Sequence, residues 1–219
     1  MARMARIVIP GIPHHITQRG NRRQRVFFCD DDYRYYRRLM AEFCSKCDVS
    51  VLAYCLMPNH THLVLTPADT EGLRKAIGEA HRRYTRHVNF SHGWRGYLWQ
   101  GRFASFPMDE AHLYRAVRYI ELNPVNANLC SQPEHWPWSS AAAHLYGQDD
   151  ELVDVAPMLA RIPAWKAYLD EGLHGEQELL SRHERTGRPL GSDSFINKLE
   201  AICGRRLHPR KAGRKPSRK

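Results

Sequence analysis

From residue 49 to residue 66 apolar side chains run almost without a break, divided by a Pro-Asn pair. "VSVLAYCLM" (49–57) predicts a strand, "PN" a tight turn, and "HTHLVLT" (60–66) a returning strand. Upstream, "HHITQR" (14–19) predicts a shorter strand, followed by the arginine-rich loop "GNRRQR". "DDDYRYYRRLMAEFCSKC" (30–47) carries acids in its first turn, with Tyr36, Leu39, Met40 and Phe43 at helical spacing. "TEGLRKAIGEAHRRYTRHVNF" (70–90) predicts a long helix with Leu73, Ile77 and Tyr84 on one side. "GRFASFPMD" (101–109) predicts a fourth strand, and "EAHLYRAVRYIELNPV" (110–125) a third helix stopped by its Asn-Pro. The order β-α-β-β-α-β-α opens with the ferredoxin-like series: an α+β fold with an antiparallel sheet and its helices on one face.

The pattern changes after residue 130. A Pro/Trp-rich loop and a short helix end near 146, and two small helical pieces are expected over 151–182. "SDSFINKLEAICG" (192–204) predicts a short amphipathic helix opened by Ser and closed by Gly. The expected organisation is a main α+β domain over 1–146, a helical extension over 147–204 that could add a binding element, and a disordered basic tail over 205–219. No internal repeat is visible.

Length and composition narrow the class. The 219 residues suffice for one core plus an appendage, and 42 % hydrophobic with 26 % charged residues is ordinary for a globular chain. No apolar run approaches the roughly 20 residues of a membrane span, and the N-terminal apolar stretch is too short for a signal peptide. Cys29, Cys44, Cys47, Cys55, Cys130 and Cys203 follow no disulfide framework. "CSKC" has zinc-ligand spacing but no second pair follows, so a chance pair is the better reading. The expectation is a cytoplasmic protein with free thiols. Charge adds the most: Lys+Arg 33 against Asp+Glu 23, a net +10. Arginine dominates in "QRGNRRQR", "HRRYTRH" and "GWRGYLWQGRF", interleaved with aromatics. Guanidinium forks suit phosphate oxygens, so nucleic acid is the expected partner.

In "HTHLVL" strand alternation sends His60 and His62 to one side, with Val64, while Thr61, Leu63 and Leu65 face the other. Two imidazoles can then converge on one ion. The H-x-H pattern alone fits a metal pair and two polar residues on a solvent face equally well; the apolar Val64 beside them favours a site. A metal in an arginine-rich chain points to phosphodiester chemistry, which needs a nucleophile. No G-x-S-x-G elbow, P-loop or dinucleotide fingerprint is present. On the third helix Tyr119 and Asn123 are four apart and share a face. A tyrosinate can attack phosphorus and store the bond energy for rejoining, and an amide oxygen can serve as a third ligand. A core-packing role for Tyr119 competes, as do nine other tyrosines, including Tyr114 on the same helix.

The residues "PGIPHHITQRGNRRQRVFF", "YCLMPNHTHLVL", "GEAHRRYTRHVN", "GYLWQGRFASFPMDE" and "RYIELNPVNANL", in this order, resemble the single-tyrosine, IS200-like transposases of the HUH superfamily, and in particular the REP-associated tyrosine transposases. The resemblance spans about residues 6–146. It implies His60 and His62 as metal ligands, Asn123 as the third, Mg²⁺ or Mn²⁺ as cofactor, and Tyr119 as nucleophile forming a 5′-phosphotyrosine. Thr61 stands where the family usually has a bulky hydrophobe, and it faces away from the pair. The implied substrate is single-stranded hairpin DNA of palindromic repeats in the bacterial nucleoid. A monomer is implied for this branch, although some single-tyrosine relatives are dimers.

Candidate DNA contacts are Arg19, Asn21, Arg22, Arg23 and Arg25 in the first loop and Arg82, Arg83 and Arg86 on the second helix. Arg95, Trp99, Gln100 and Arg102 follow in the aromatic stretch, where unstacked bases could stack. Arg205, Arg206, Arg210, Lys211, Arg214 and Lys215 in the tail resemble a minor-groove arm. For each cluster a solvated basic surface is the plain alternative, and a core role for Trp99 and Phe103. Two further readings of the whole chain stay open: a hairpin-binding protein without chemistry, and a metal-dependent phosphodiesterase that uses water.

Overall fold

The computed structural model describes residues 6–172, 175 and 187–208. Four strands, β1 (His14–Arg19), β2 (Val49–Met57), β3 (His60–Pro67) and β4 (Ala104–Pro107), form one antiparallel sheet in the order β2-β3-β1-β4. Helices α1 (Asp30–Lys46) and α2 (Gly72–His92) complete the ferredoxin-like series. Both pack on one face, against Ile16, Val51, Tyr54, Leu56, Leu63 and Leu65. Helix α3 (Glu110–Asn126) takes the opposite face and buries Leu113, Ala116, Val117 and Ile120 against Ala53, Cys55, Val64 and Phe106.

Alternation explains the sides, with one break. Val49 and Val51 face α1 and α2, but the same face is then taken by Tyr54 and Leu56. A bulge between Val51 and Ala53 shifts the phase by one residue and turns Leu52 and Ala53 to the α3 side. The hairpin closes at Pro58-Asn59, pairing Met57 with His60.

Two elements depart from the sequence expectation. Helix α3 does not stop at Asn-Pro: Pro124 lies inside it, and Ala127 donates to the Asn123 carbonyl at 3.0 Å. Proline removes only its own N–H, and the bonds beyond it carry the helix on. Strand β4 is four residues long rather than nine because only residues 104–107 pair with β1, while Gly101 turns the chain in the left-handed region (φ 67°) just before it.

Beyond α3 the chain forms α4 (Ala141–Tyr146), α5 (Ala156–Leu159), α6 (Trp165–Asp170) and α7 (Asp193–Cys203). The expected caps of α7 are present: the Ser192 hydroxyl accepts from the Phe195 N–H, and Gly204 closes the helix at φ 62°. Met158, Trp165, Tyr168 and Leu169 join the α3-side core. Leu199 of α7 packs with Ile7, Ile9 and Leu207 in a separate small cluster. Leu190 exchanges backbone hydrogen bonds with Pro107 and Asp109, which covers the exposed edge of β4. All six cysteines are free thiols. Among the described residues no helix is long and apolar enough to cross a membrane.

Candidate active site and nucleic-acid interface

The sheet register brings three histidines together. His60 and His62 lie on β3, and the neighbouring strand β1 places Thr17 opposite His62 and Arg19 opposite His60. One pair further along β1, His15 reaches back so that its Nε2 lies 3.1 Å from Nδ1 of His62 in a fully buried contact. The two rings stack at 5.3 Å, 16° from parallel, while the His60 and His62 rings meet edge-on at 4.8 Å. Nε2 of His62 is buried without a hydrogen-bond partner. A buried orphan nitrogen is costly unless something completes it.

Asn59 settles the tautomer of His60. Its Oδ1 lies 2.6 Å from Nδ1 of His60, and its Nδ2 donates to the Arg23 carbonyl at 3.3 Å. An amide oxygen only accepts, so Nδ1 carries the proton and Nε2 keeps its lone pair. The Asn59 backbone carbonyl also accepts from the Gly20 N–H, so one turn residue joins the arginine loop to His60.

Burial keeps the imidazoles neutral. It lowers His60 to about 4, with Arg19 adding a smaller push. His62 falls well below 6.5, first through burial and then through His60, His15 and Arg19. His15 drops to about 3 through burial alone. Neutral imidazole is the metal-ligating form, so the donor chemistry fits a divalent ion. Among the described residues no group of three His, Cys, Asp or Glu is arranged so that it could hold a metal ion. A third protein ligand here would therefore have to be an amide or another oxygen.

Helix α3 brings Tyr119 to this group: its ring meets that of His62 edge-on at 5.5 Å and 88°. Tyr119 and Asn123 are both half buried, one turn apart. Tyr114, the competing tyrosine, instead donates to Glu110 at 2.6 Å. Two residues beyond Tyr119, Glu121 is fully buried and accepts from Ser140 at 2.6 Å and from Trp165 at 2.9 Å, with Nδ1 of His144 at 2.6 Å. These three groups come from the segment before α4, from α4 and from α6, so they fix α3 against the sheet.

The expected DNA contacts fall in several places. Arg22, Arg23 and Arg25 are exposed, with Asn21 and Arg19 half buried beside them. Arg22 and Arg23 both adopt left-handed backbone angles, φ 53° and 61°. The loop is tight because a Cβ at Gly20 would lie 2.3 Å from the Gln24 carbonyl. Gln100, exposed, donates its backbone N–H to Arg19, which ties the aromatic stretch to the end of β1. Arg95 and Arg102 are exposed, as are Tyr97 (88 %) and Trp94 (44 %). Trp99 is buried, stacked on His81 at 4.6 Å, and Phe103 is core. Arg82, Arg83 and Arg86 are exposed on α2, on the sheet face opposite Tyr119; Arg82 and Arg83 both pair with Glu79. Arg205 and Arg206 are exposed after α7, whereas Arg210, Lys211, Arg214 and Lys215 lie outside the described residues.

Sequence reasoning missed His15, Asn59 and the Glu121 network. The "HH" of β1 was a usable signal only once β1 was known to lie beside β3.

A family model described as "Transposase IS200 like" matches residues 9–123. The fold is similar to the solved structure of a REP-associated tyrosine transposase bound to a REP hairpin: TM-score 0.54 and 22 % identity, over 71 % of this chain and 96 % of that one. A second solved chain, from Deinococcus radiodurans R1 and described as a candidate transposase, aligns at TM-score 0.37 and 21 % identity, over 55 % and 96 %. No curated protein matches.

Proposed function

The chain belongs to the IS200-like transposase family, and from that premise we propose that it cleaves and rejoins single-stranded DNA at the foot of repeat-derived hairpins, with Tyr119 as the nucleophile. The observation that carries the proposal is the convergence of Tyr119, from α3, with the His60–His62 pair of β3, two elements some sixty residues apart in sequence.

The phenolic oxygen of Tyr119 attacks the scissile phosphorus. A Tyr–O–P bond forms, the P–O3′ bond breaks, the phenol proton is lost, and the departing O3′ takes a proton to become a free 3′-OH. The 5′-phosphotyrosine conserves a phosphodiester, so a second 3′-OH can reverse the step and join a new strand. The family's divalent metal would be held by Nε2 of His60, Nε2 of His62 and the Asn123 amide oxygen. Bound there, Mg²⁺ or Mn²⁺ would supply Lewis-acid polarisation of the phosphate. Asn59 holds His60 in the tautomer that leaves its Nε2 bare, and the His15 contact suits a bare Nε2 on His62 when Nδ1 of His62 is the donor. Glu121 holds the helix that presents Tyr119.

Hairpin DNA is the substrate suggested by the solved relative's bound ligand together with the exposed arginines of the 20–25 loop. The loop sits at the end of β1 next to the histidines, where phosphate contacts would position a stem foot. The chain would work as a monomer, a reading supported by the Tyr119–His62 ring contact within one copy.

Labelled single-stranded hairpin DNA incubated with the protein and Mn²⁺ tests this on a denaturing gel. Label carried covalently by the wild type and absent from Tyr119→Phe is the expected result. Cleavage without an adduct that survives Tyr119→Phe would mean a water-using phosphodiesterase. Binding with neither cleavage nor adduct would mean a binding protein without chemistry.

A further inference from the structure

Away from the histidines, four arginines from four separate parts of the chain converge on one cleft. Arg6 precedes β1, Arg74 lies in the first turn of α2, Arg102 precedes β4, and Arg205 follows α7. Together with Glu71 they line a cavity of about 410 Å³. Glu71 is the one carboxylate in the lining, and it is bonded to Arg74 at 2.6 Å. Neither Arg6 nor Arg102 has a carboxylate partner among the described residues. The guanidinium of Arg6 lies 3.8 Å from the centre of the Phe103 ring. Stacking of this kind holds the plane of the fork while its in-plane N–H groups stay available.

Such a gathering is unfavourable by itself. Arg6 is half buried, and its pKa is pushed down first by burial and then by the charges of Arg102 and Arg74. Like charges at a shared cleft are relieved by an anion, and forked guanidiniums match tetrahedral oxyanions best.

We infer that this cleft is a phosphate-binding site for the nucleic-acid backbone, separate from the cleavage site. A polyanion fits better than a free ion because one of the cleft's arginines, Arg102, is linked through the backbone to the arginine loop. Arg102 lies two residues past Gln100, whose backbone is bonded to Arg19 at the end of β1, where the arginine loop begins. A strand or stem held at that loop could extend along the exposed residues 100–102 and place a phosphate in the cleft. This inference rests on the proposed function, since it assumes that hairpin DNA is bound.

The test is hairpin binding by fluorescence anisotropy across a salt series, for wild type, Arg6→Gln and Arg74→Gln. Arg74→Gln serves as a second variant because it leaves the Phe103 stacking untouched, and melting temperatures confirm folding. Each variant is expected to bind about fivefold to tenfold more weakly near physiological salt, and to flatten the log–log salt slope by about one. In a parallel arm, inorganic phosphate is titrated at constant ionic strength and melting is followed. Unchanged hairpin binding together with lost phosphate-dependent stabilisation would assign the cleft to free phosphate and overturn the backbone reading. Variants unchanged in both arms, with wild type still binding hairpin, would overturn the site while leaving the proposed function standing. A wild type that binds no hairpin would overturn both.

Discussion

Nε2 of His15 and Nδ1 of His62 share a buried 3.1 Å contact between two stacked rings on adjacent central strands. If that contact sets which nitrogen of His62 stays bare, His15→Phe keeps the packing and removes the constraint. The Mn²⁺ concentration giving half-maximal adduct should rise about tenfold to a hundredfold, and the melting temperature should fall by the share of the unpaired Nδ1 of His62. A metal titration of adduct formation measures it; an unchanged midpoint would reduce His15 to packing.

Glu121 accepts from groups on three other segments while fully buried. Glu121→Ala leaves His144 and Trp165 without their acceptor inside the core and Ser140 with only the Tyr54 carbonyl at 3.3 Å. The expected loss is about 3 kcal/mol or more, read from urea denaturation. A loss under about 1 kcal/mol would mean that water or side-chain rearrangement replaces the carboxylate. Glu121→Gln, which keeps one acceptor, should lose less.

Acid should destabilise the fold earlier than its carboxylates would. Burial lowers His14 to about 4, and His15 and His81 to about 3, from an ordinary 6.5. Between about pH 6.5 and those lower values the unfolded chain takes up protons that the native chain refuses. Stability therefore falls as pH drops through that window, by up to about 1.4 kcal/mol per pH unit for each group. His81, bonded to the Tyr36 hydroxyl at 2.9 Å, is remote from the ligands and suits the check. In His81→Gln the slope of unfolding free energy against pH should flatten by one group's share; an identical slope would be inconsistent with a neutral buried His81.

Arg23 holds φ at 61°, a conformation that costs a side-chain-bearing residue about 1 kcal/mol. Arg23→Gly should leave the protein as stable or slightly more so. Hairpin affinity should fall in the same variant, with a salt slope shallower by about one. Opposite signs in melting and binding distinguish a residue kept for its charge from one kept for the turn. Unchanged binding would remove Arg23 from the interface.

The sheet was legible in the sequence because its strands are short, apolar and bounded by turn residues, and Asn-Pro misled only at the last turn of α3. A local period, two in a strand and four in a helix, gave the shared side of His60 and His62 and the shared face of Tyr119 and Asn123; the choice of Tyr119 over the other tyrosines came from the family resemblance. His15, Asn59 and Glu121 were not legible. His15 gains its role from a neighbour 47 residues away, and Glu121 from partners 19 to 44 residues away. Nothing local marks such pairings. The cleft of four arginines was hidden for the same reason: Arg6 and Arg74 each look like an isolated surface charge.

The stretch that matches the family model ends at residue 123, yet the partners of Glu121 stand at 140, 144 and 165. A copy cut short after residue 130 would still spell out His60, His62, Tyr119 and Asn123 in full. It would have lost all three groups that bond Glu121 and would keep only the packing of α3 on the sheet. Decayed copies of such a gene could therefore carry the complete signature and be inert, so an open reading frame is better judged by whether it still encodes Ser140, His144 and Trp165.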